Sequence, residues 1–171
     1  HFGAHHVEAV LAGPPRCLLL GELENEVDEI FVVPIAGGSL TPLNGPLATT
    51  TIGDVFRARL TSNGRHVVYA AAPEDEGHFE LFSTALPTRE TAPLSPPSVG
   101  GVNLAFLLTP DEKRVVFITE EGPGNRTLHS APVAGGTAIQ LVLLSDVGIP
   151  VAISPDSLWI YFKDRTNGND D

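Results

Sequence analysis

Apolar residues occur along this chain in short runs, each led in by a polar turn. Residues 108–117 read LTPDEKRVVF, in which Thr109-Pro110-Asp111-Glu112 predicts a tight turn and Val115-Val116-Phe117 a strand. Proline presets the φ that the second turn position needs, and an aspartate can bond the backbone ahead of it. The same signal recurs at residues 60–69 (LTSNGRHVVY) and 153–162 (ISPDSLWIYF), with a weaker copy at residues 11–20 (LAGPPRCLLL). Aligned on Leu11, Leu60, Leu108 and Ile153, the copies lie 49, 48 and 45 residues apart.

The turns divide the apolar runs into four-strand units. The first has strands at residues 7–11, 16–20, 28–35 and 40–43. The second has 55–60, 65–71 and 79–86, then a proline-rich outer stretch at 87–97. The third has 102–108, 114–119, 127–133 and 138–144. The fourth offers 149–153 and 158–162 and then runs into KDRTNGNDD. A period in the forties with several short strands per unit predicts an all-β chain of β-propeller blades, each a four-stranded antiparallel meander. The boundaries are blade 1 at 7–48, blade 2 at 54–97, blade 3 at 102–145 and a half blade at 149–171, an incomplete ring within one propeller segment. Val-Val-Tyr and Val-Val-Phe predict strands covered on both faces, as stacked blades require. A β-sandwich is the alternative architecture, disfavoured by turn chemistry that repeats at matched positions.

Composition narrows the function classes. The 171 residues are 42% hydrophobic, enough for a sizeable core, and the 15 prolines and 17 glycines fall between apolar runs. No apolar run reaches the ~20 residues that cross a bilayer as a helix. The net charge of −11, with scattered lysines and arginines, disfavours nucleic acid. One cysteine, Cys17, rules out an internal disulfide and reads as a small core hydrophobe. With no methionine in the chain, His1 is expected to be a processed or excised start.

The motif [TS]-[PS]-[DN]-x-x-x-[VI]-x-[FY], followed by a polar loop and a strand ending P-[IV]-A-G-G, resembles the TolB-like propeller repeat. Ser154-Pro155-Asp156 with residues 163–169 (KDRTNGN) carries the likeness best, and Thr109-Pro110-Asp111 is close. Thr61-Ser62-Asn63-Gly64 keeps only the glycine. Pro34-Ile35-Ala36-Gly37-Gly38 and Pro132-Val133-Ala134-Gly135-Gly136 share the second element, from which residues 85–89 (ALPTR) have drifted. The resemblance covers almost the whole chain and implies the fold. TolB-like blades serve in periplasmic interaction proteins and in substrate-gating domains of serine peptidases, in rings of more blades than this chain holds. The resemblance therefore implies an extracytoplasmic scaffold that works with protein partners or further copies of itself, without membrane insertion. The alternative is a piece of a serine-peptidase propeller.

Candidate chemistry is sparse. His1, with its amine and imidazole, and His5 offer nitrogen donors that suit copper. Asp164, Asn167 and Asn169 offer oxygens that suit calcium, though without EF-hand spacing. The plain alternatives are a loose terminal segment and a hairpin turn, so no cofactor is expected. Asn125-Arg126-Thr127 is a glycosylation sequon. No nucleophile elbow, phosphate loop or metalloprotease helix is present, so no catalytic residue and no enzymatic activity are expected. The half blade leaves an unpaired strand edge, predicted at Leu158, Ile160 and Phe162, and such an edge pairs readily with strands from elsewhere.

Overall fold

Fourteen β-strands and no helix form among the residues that the computed structural model describes: 4–10, 16–22, 28–43, 55–73, 78–86, 88–97, 100–103, 105–122, 125–144 and 147–164. The chain divides into two compact units, residues 1–93 and 94–171.

In the first unit, β1 (Ala4–Val10), β2 (Arg16–Glu22), β3 (Asp28–Pro34) and β4 (Thr41–Pro42) form one antiparallel meander in chain order. A second meander follows from β5 (Val55–Leu60), β6 (His66–Ala71), β7 (Glu80–Ala85) and β8 (Thr91–Pro93). The alternation of side chains along a strand sends Val67, Tyr69 and Ala71 of β6 to one face. There they join Val55, Ala58, Leu60 and Leu86 in one core with Ile30, Val32 and Leu43 of the first sheet. Val68 and Ala70 are equally buried, so β6 has no solvated face. The Thr84 hydroxyl donates to the Leu43 carbonyl at 3.1 Å, adding a polar tie between the sheets.

In the second unit, β9 (Leu107–Leu108), β10 (Arg114–Glu120), β11 (Arg126–Pro132) and β12 (Ile139–Leu144) form the third meander. β13 (Val147–Ile153) and β14 (Ile160–Asp164) form a two-stranded sheet. Val116, Ile118 and Leu128 of the third sheet pack with Val142, and with Ile153 and Ile160 of the pair. The predicted meanders are therefore present, with one local departure in the strand expected over residues 102–108. Val102 bridges Thr119, yet Leu107 pairs with Val116, so the incoming strand uses two more residues than its partner. The Asn103 side-chain carbonyl accepts from the Ala105 N–H at 3.0 Å, a local bond that draws the backbone out of the ladder.

The repeated turn is one hydrogen-bonded knot built three times. A buried hydroxyl, that of Thr61, Thr109 or Ser154, donates to the side-chain oxygen two residues on, on Asn63, Asp111 or Asp156. The same hydroxyl accepts the backbone N–H five residues on, from His66 (3.0 Å), Arg114 (3.1 Å) or Trp159 (2.9 Å). The Asn or Asp oxygen also takes the N–H of Arg65, Lys113 or Leu158. Each knot thus fixes the register in which its next strand begins.

The fourth residue of every knot lies in the left-handed region: Gly64 at φ +65°, Glu112 at +53° and Ser157 at +62°. Only glycine adopts that region without steric cost. Gly64→Ala is therefore expected to cost about 1 kcal/mol, read as a lowered urea midpoint at unchanged slope.

The knots also set a pH response. Hydrogen bonds from Thr109 and Ser154 hold the Asp111 and Asp156 carboxyls below their ordinary value of 3.8. Burial holds His66 and His129 below 6.5. In all four cases the unfolded chain binds the proton more tightly, so stability is full above the unfolded pKa and is lost as pH falls. Urea midpoints are expected to drop first below about pH 6.5 and again below about pH 3.8, with His129→Gln flattening the first step.

Candidate interaction surface

The half blade owes its geometry to the third knot, which turns β13 into β14 through the Ser154 N–H bonded to the Trp159 carbonyl at 2.8 Å. Ile153 lies directly opposite Ile160, and both pack against the third sheet. Among the described residues the reverse face has no such cover. Ala152 is exposed, Trp159 is 67% exposed and Tyr161 opposite Ala152 is 60% exposed. Leu158, in the loop before β14, is 75% exposed and Phe162 is 37% exposed.

The edge adds backbone to this apolar surface. β14 pairs with β13 and with no other strand among the described residues, so its outer N–H and C=O groups face away from any ladder. An aromatic face beside an unpaired edge suits both blade stacking and strand addition. The outer strand of the third sheet exposes Ile139, Leu141 and Leu143 as well, but a register shift interrupts it, so they make no continuous stripe.

Of the edge residues read from the sequence, Leu158 and Phe162 are exposed, while Ile160 is half-buried on the packed face. Trp159 and Tyr161 are not among the edge residues read from the sequence, which names only Leu158, Ile160 and Phe162. Their signal is the alternation itself: two aromatics two residues apart, on the face opposite Ile160.

The candidate copper pair, His1 with His5, and the candidate calcium set, Asp164 with Asn167 and Asn169, each include residues outside the described ones, namely His1, Asn167 and Asn169. His5 belongs to β1 and Asp164 ends β14. Among the described residues no group of three or more His, Cys, Asp or Glu could hold a metal ion. Asn125 is exposed in the turn between β10 and β11, its N–H bonded to the Gly122 carbonyl.

His129 is a buried polar group that sequence reasoning missed. Its Nε2 lies 2.9 Å from the Thr119 hydroxyl, its ring stacks on Phe117 at 5.4 Å, and its Nδ1 is buried without a partner among the described residues. Burial favours the neutral ring, which outweighs the Glu121 carboxylate that pulls the other way.

No family model matches this chain, and no curated protein matches it. Solved structures do. The tricorn protease aligns at a TM-score of 0.66 and 16% identity, over 93% of this chain and 15% of that one. TolB from Acinetobacter baumannii aligns at 0.55 and 17%, over 90% of this chain and 36% of its own. The β-propeller domain of the Trilobed protease from Pyrococcus furiosus, described as having an open velcro topology, aligns at 0.53 and 9%, over 96% and 45%. This chain spans less than half of each. At these identities the likeness establishes the fold: TolB-like β-propeller blades, all-β and antiparallel.

Proposed function

We propose that this chain is a non-catalytic propeller scaffold, acting outside the cytoplasm, whose half blade is completed by another copy of itself or by another protein. The observation that carries this reading is the uncovered aromatic face of Trp159 and Tyr161 beside the unpaired edge of β14. The other three sheets each have four strands. A second copy related by a two-fold axis brings β14 against β14 antiparallel and gives the fourth sheet that same number. TolB-like likeness supports the extracytoplasmic placement, and among the described residues no helix is long and apolar enough to cross a membrane.

The double variant Trp159→Lys with Tyr161→Lys tests the surface. Two buried aromatic anchors are worth about 2 kcal/mol each at an interface, so association is expected to weaken by about 100-fold or more in sedimentation equilibrium. Unchanged association together with an unchanged circular dichroism spectrum would count against the half-blade surface.

The second reading, part of the substrate-gating propeller of a serine peptidase, is favoured by the alignments to the tricorn and Trilobed proteases. A hydrolase domain encoded in the same reading frame would select it. In that case the strands that complete the half blade come from the longer chain, and the isolated 171 residues stay monomeric and fold poorly.

A further inference from the structure

A cleft of about 220 Å³ opens in the first unit. Its floor is apolar, formed by the buried side chains of Val32, Leu43 and Leu86, and its rim carries Ser39, Thr41 and Arg89.

Arg89 is the unexpected member. Residues 85–89 align with Pro34-Ile35-Ala36-Gly37-Gly38 and with Pro132-Val133-Ala134-Gly135-Gly136, so this arginine stands where the other two blades have glycine. The backbone still takes the glycine's hand, with φ +60° at Arg89 against +146° at Gly38 and +128° at Gly136. The Arg89 N–H closes back on the Ala85 carbonyl four residues earlier at 2.7 Å, whereas in the other two blades Gly37 and Gly135 close on the Pro34 and Pro132 carbonyls three residues earlier. Backbone geometry alone therefore selects against an arginine here, and strain of this kind is kept where a site uses the side chain.

The rim carries three side chains that can donate hydrogen bonds, with Ser39 and Arg89 exposed. Among the described residues the Arg89 guanidinium has no hydrogen-bond or ion-pair partner, and neither do the Ser39 and Thr41 hydroxyls. That holds in a chain with 21 acidic residues against 10 basic ones, where carboxylates to pair with are plentiful. A guanidinium matches a carboxylate through two parallel N–H bonds, and hydroxyls can add to them. The floor accepts an alkyl group, and the volume lies below the roughly 300–1,000 Å³ of sites for drug-sized ligands, so the ligand is short.

We infer that this cleft binds a short aliphatic carboxylate, with Arg89 forking the carboxylate and Val32, Leu43 and Leu86 taking the alkyl group. The source is either a free acid or the last residue of a peptide, and this assignment stands independently of self-association.

The test is an amide ¹H–¹⁵N NMR titration of the whole chain with isovalerate, isovaleramide and N-acetyl-Gly-Gly-Leu. Saturable shifts are expected at the amides of Ser39, Thr41 and Leu86 with the acids, and none with isovaleramide. Arg89→Gly is expected to weaken binding by about tenfold or more while raising the melting temperature, because it removes the fork and relieves the backbone together. Arg89→Gln serves the same end should glycine loosen the loop. Tighter binding of isovalerate than of the peptide supports the site with a free acid as its ligand; the reverse order supports it with a peptide C-terminus. Equal binding of isovaleramide, undiminished binding by both variants, or no saturable shift with either carboxylate overturns the assignment.

Discussion

Replacing Tyr69 with alanine is expected to lower the unfolding free energy by about 3–5 kcal/mol, the range for deleting a fully buried aromatic side chain. Tyr69 is 0% exposed and sits in the core that joins the first two sheets. Its ring stacks on Phe82 directly across the β6–β7 ladder, with centroids 5.7 Å apart. A domain is stable by only about 5–15 kcal/mol, so this one change removes a large share. The loss should appear in both sheets. Amide exchange is expected to speed up at Ile30 in β3 as well as at Val67 in β6, because each sheet buries its face against the other. Tyr69→Phe keeps the ring and gives up the hydroxyl's hydrogen bonds with Thr84, at 3.4 Å, and with Thr91. It is expected to cost under about 1 kcal/mol. An alanine effect confined to β6 and its neighbours would mean that the sheets fold as separate units.

Thr109→Val is expected to cost about 2 kcal/mol, although the two side chains have nearly the same shape. The hydroxyl donates to the Asp111 carboxylate at 2.7 Å and accepts the Arg114 N–H at 3.1 Å. Valine removes both bonds and leaves the Arg114 N–H short of a partner at the point where β10 begins. Thr109→Ser retains the hydroxyl and is expected to lose much less. Urea titration of the two variants separates the hydroxyl from the methyl group, and equal losses would refute the knot as the device that sets register.

The sequence announced this architecture through its turns more than through its strands. Val115-Val116-Phe117 alone suits any buried strand, but Thr-Pro-Asp and Ser-Pro-Asp at matched intervals each imply the same hydroxyl, the same carboxylate and the same left-handed residue. Glu112 and Ser157 sit at that left-handed position despite their side chains, so the hydrogen bonds of the knot outweigh the local steric preference. What the sequence hid depended on contacts between distant residues. The break in the strand over residues 102–108 turns on one Asn103 side-chain bond, which no periodicity reports. The exposure of Trp159 and Tyr161 depends on what packs against that face, which the residue pattern of the strand does not report. The drift of residues 85–89 is visible as a lost pair of glycines; that Arg89 takes a positive φ there and lines a cleft shows only in the structure. The weak first copy of the turn, at residues 11–15, lies outside the described residues.

The fold makes a half blade with one packed face and one open aromatic face, and the proposed role follows from that asymmetry. The most direct measurement is the native mass of the 171-residue chain by light scattering coupled to size exclusion, across a range of concentrations. A folded species at an integral multiple of the chain mass, reverting toward monomer in the Trp159→Lys, Tyr161→Lys variant, is the expected result. A folded, monodisperse monomer at every concentration would contradict it, since the half blade would then be stable with its edge and its aromatic face in water.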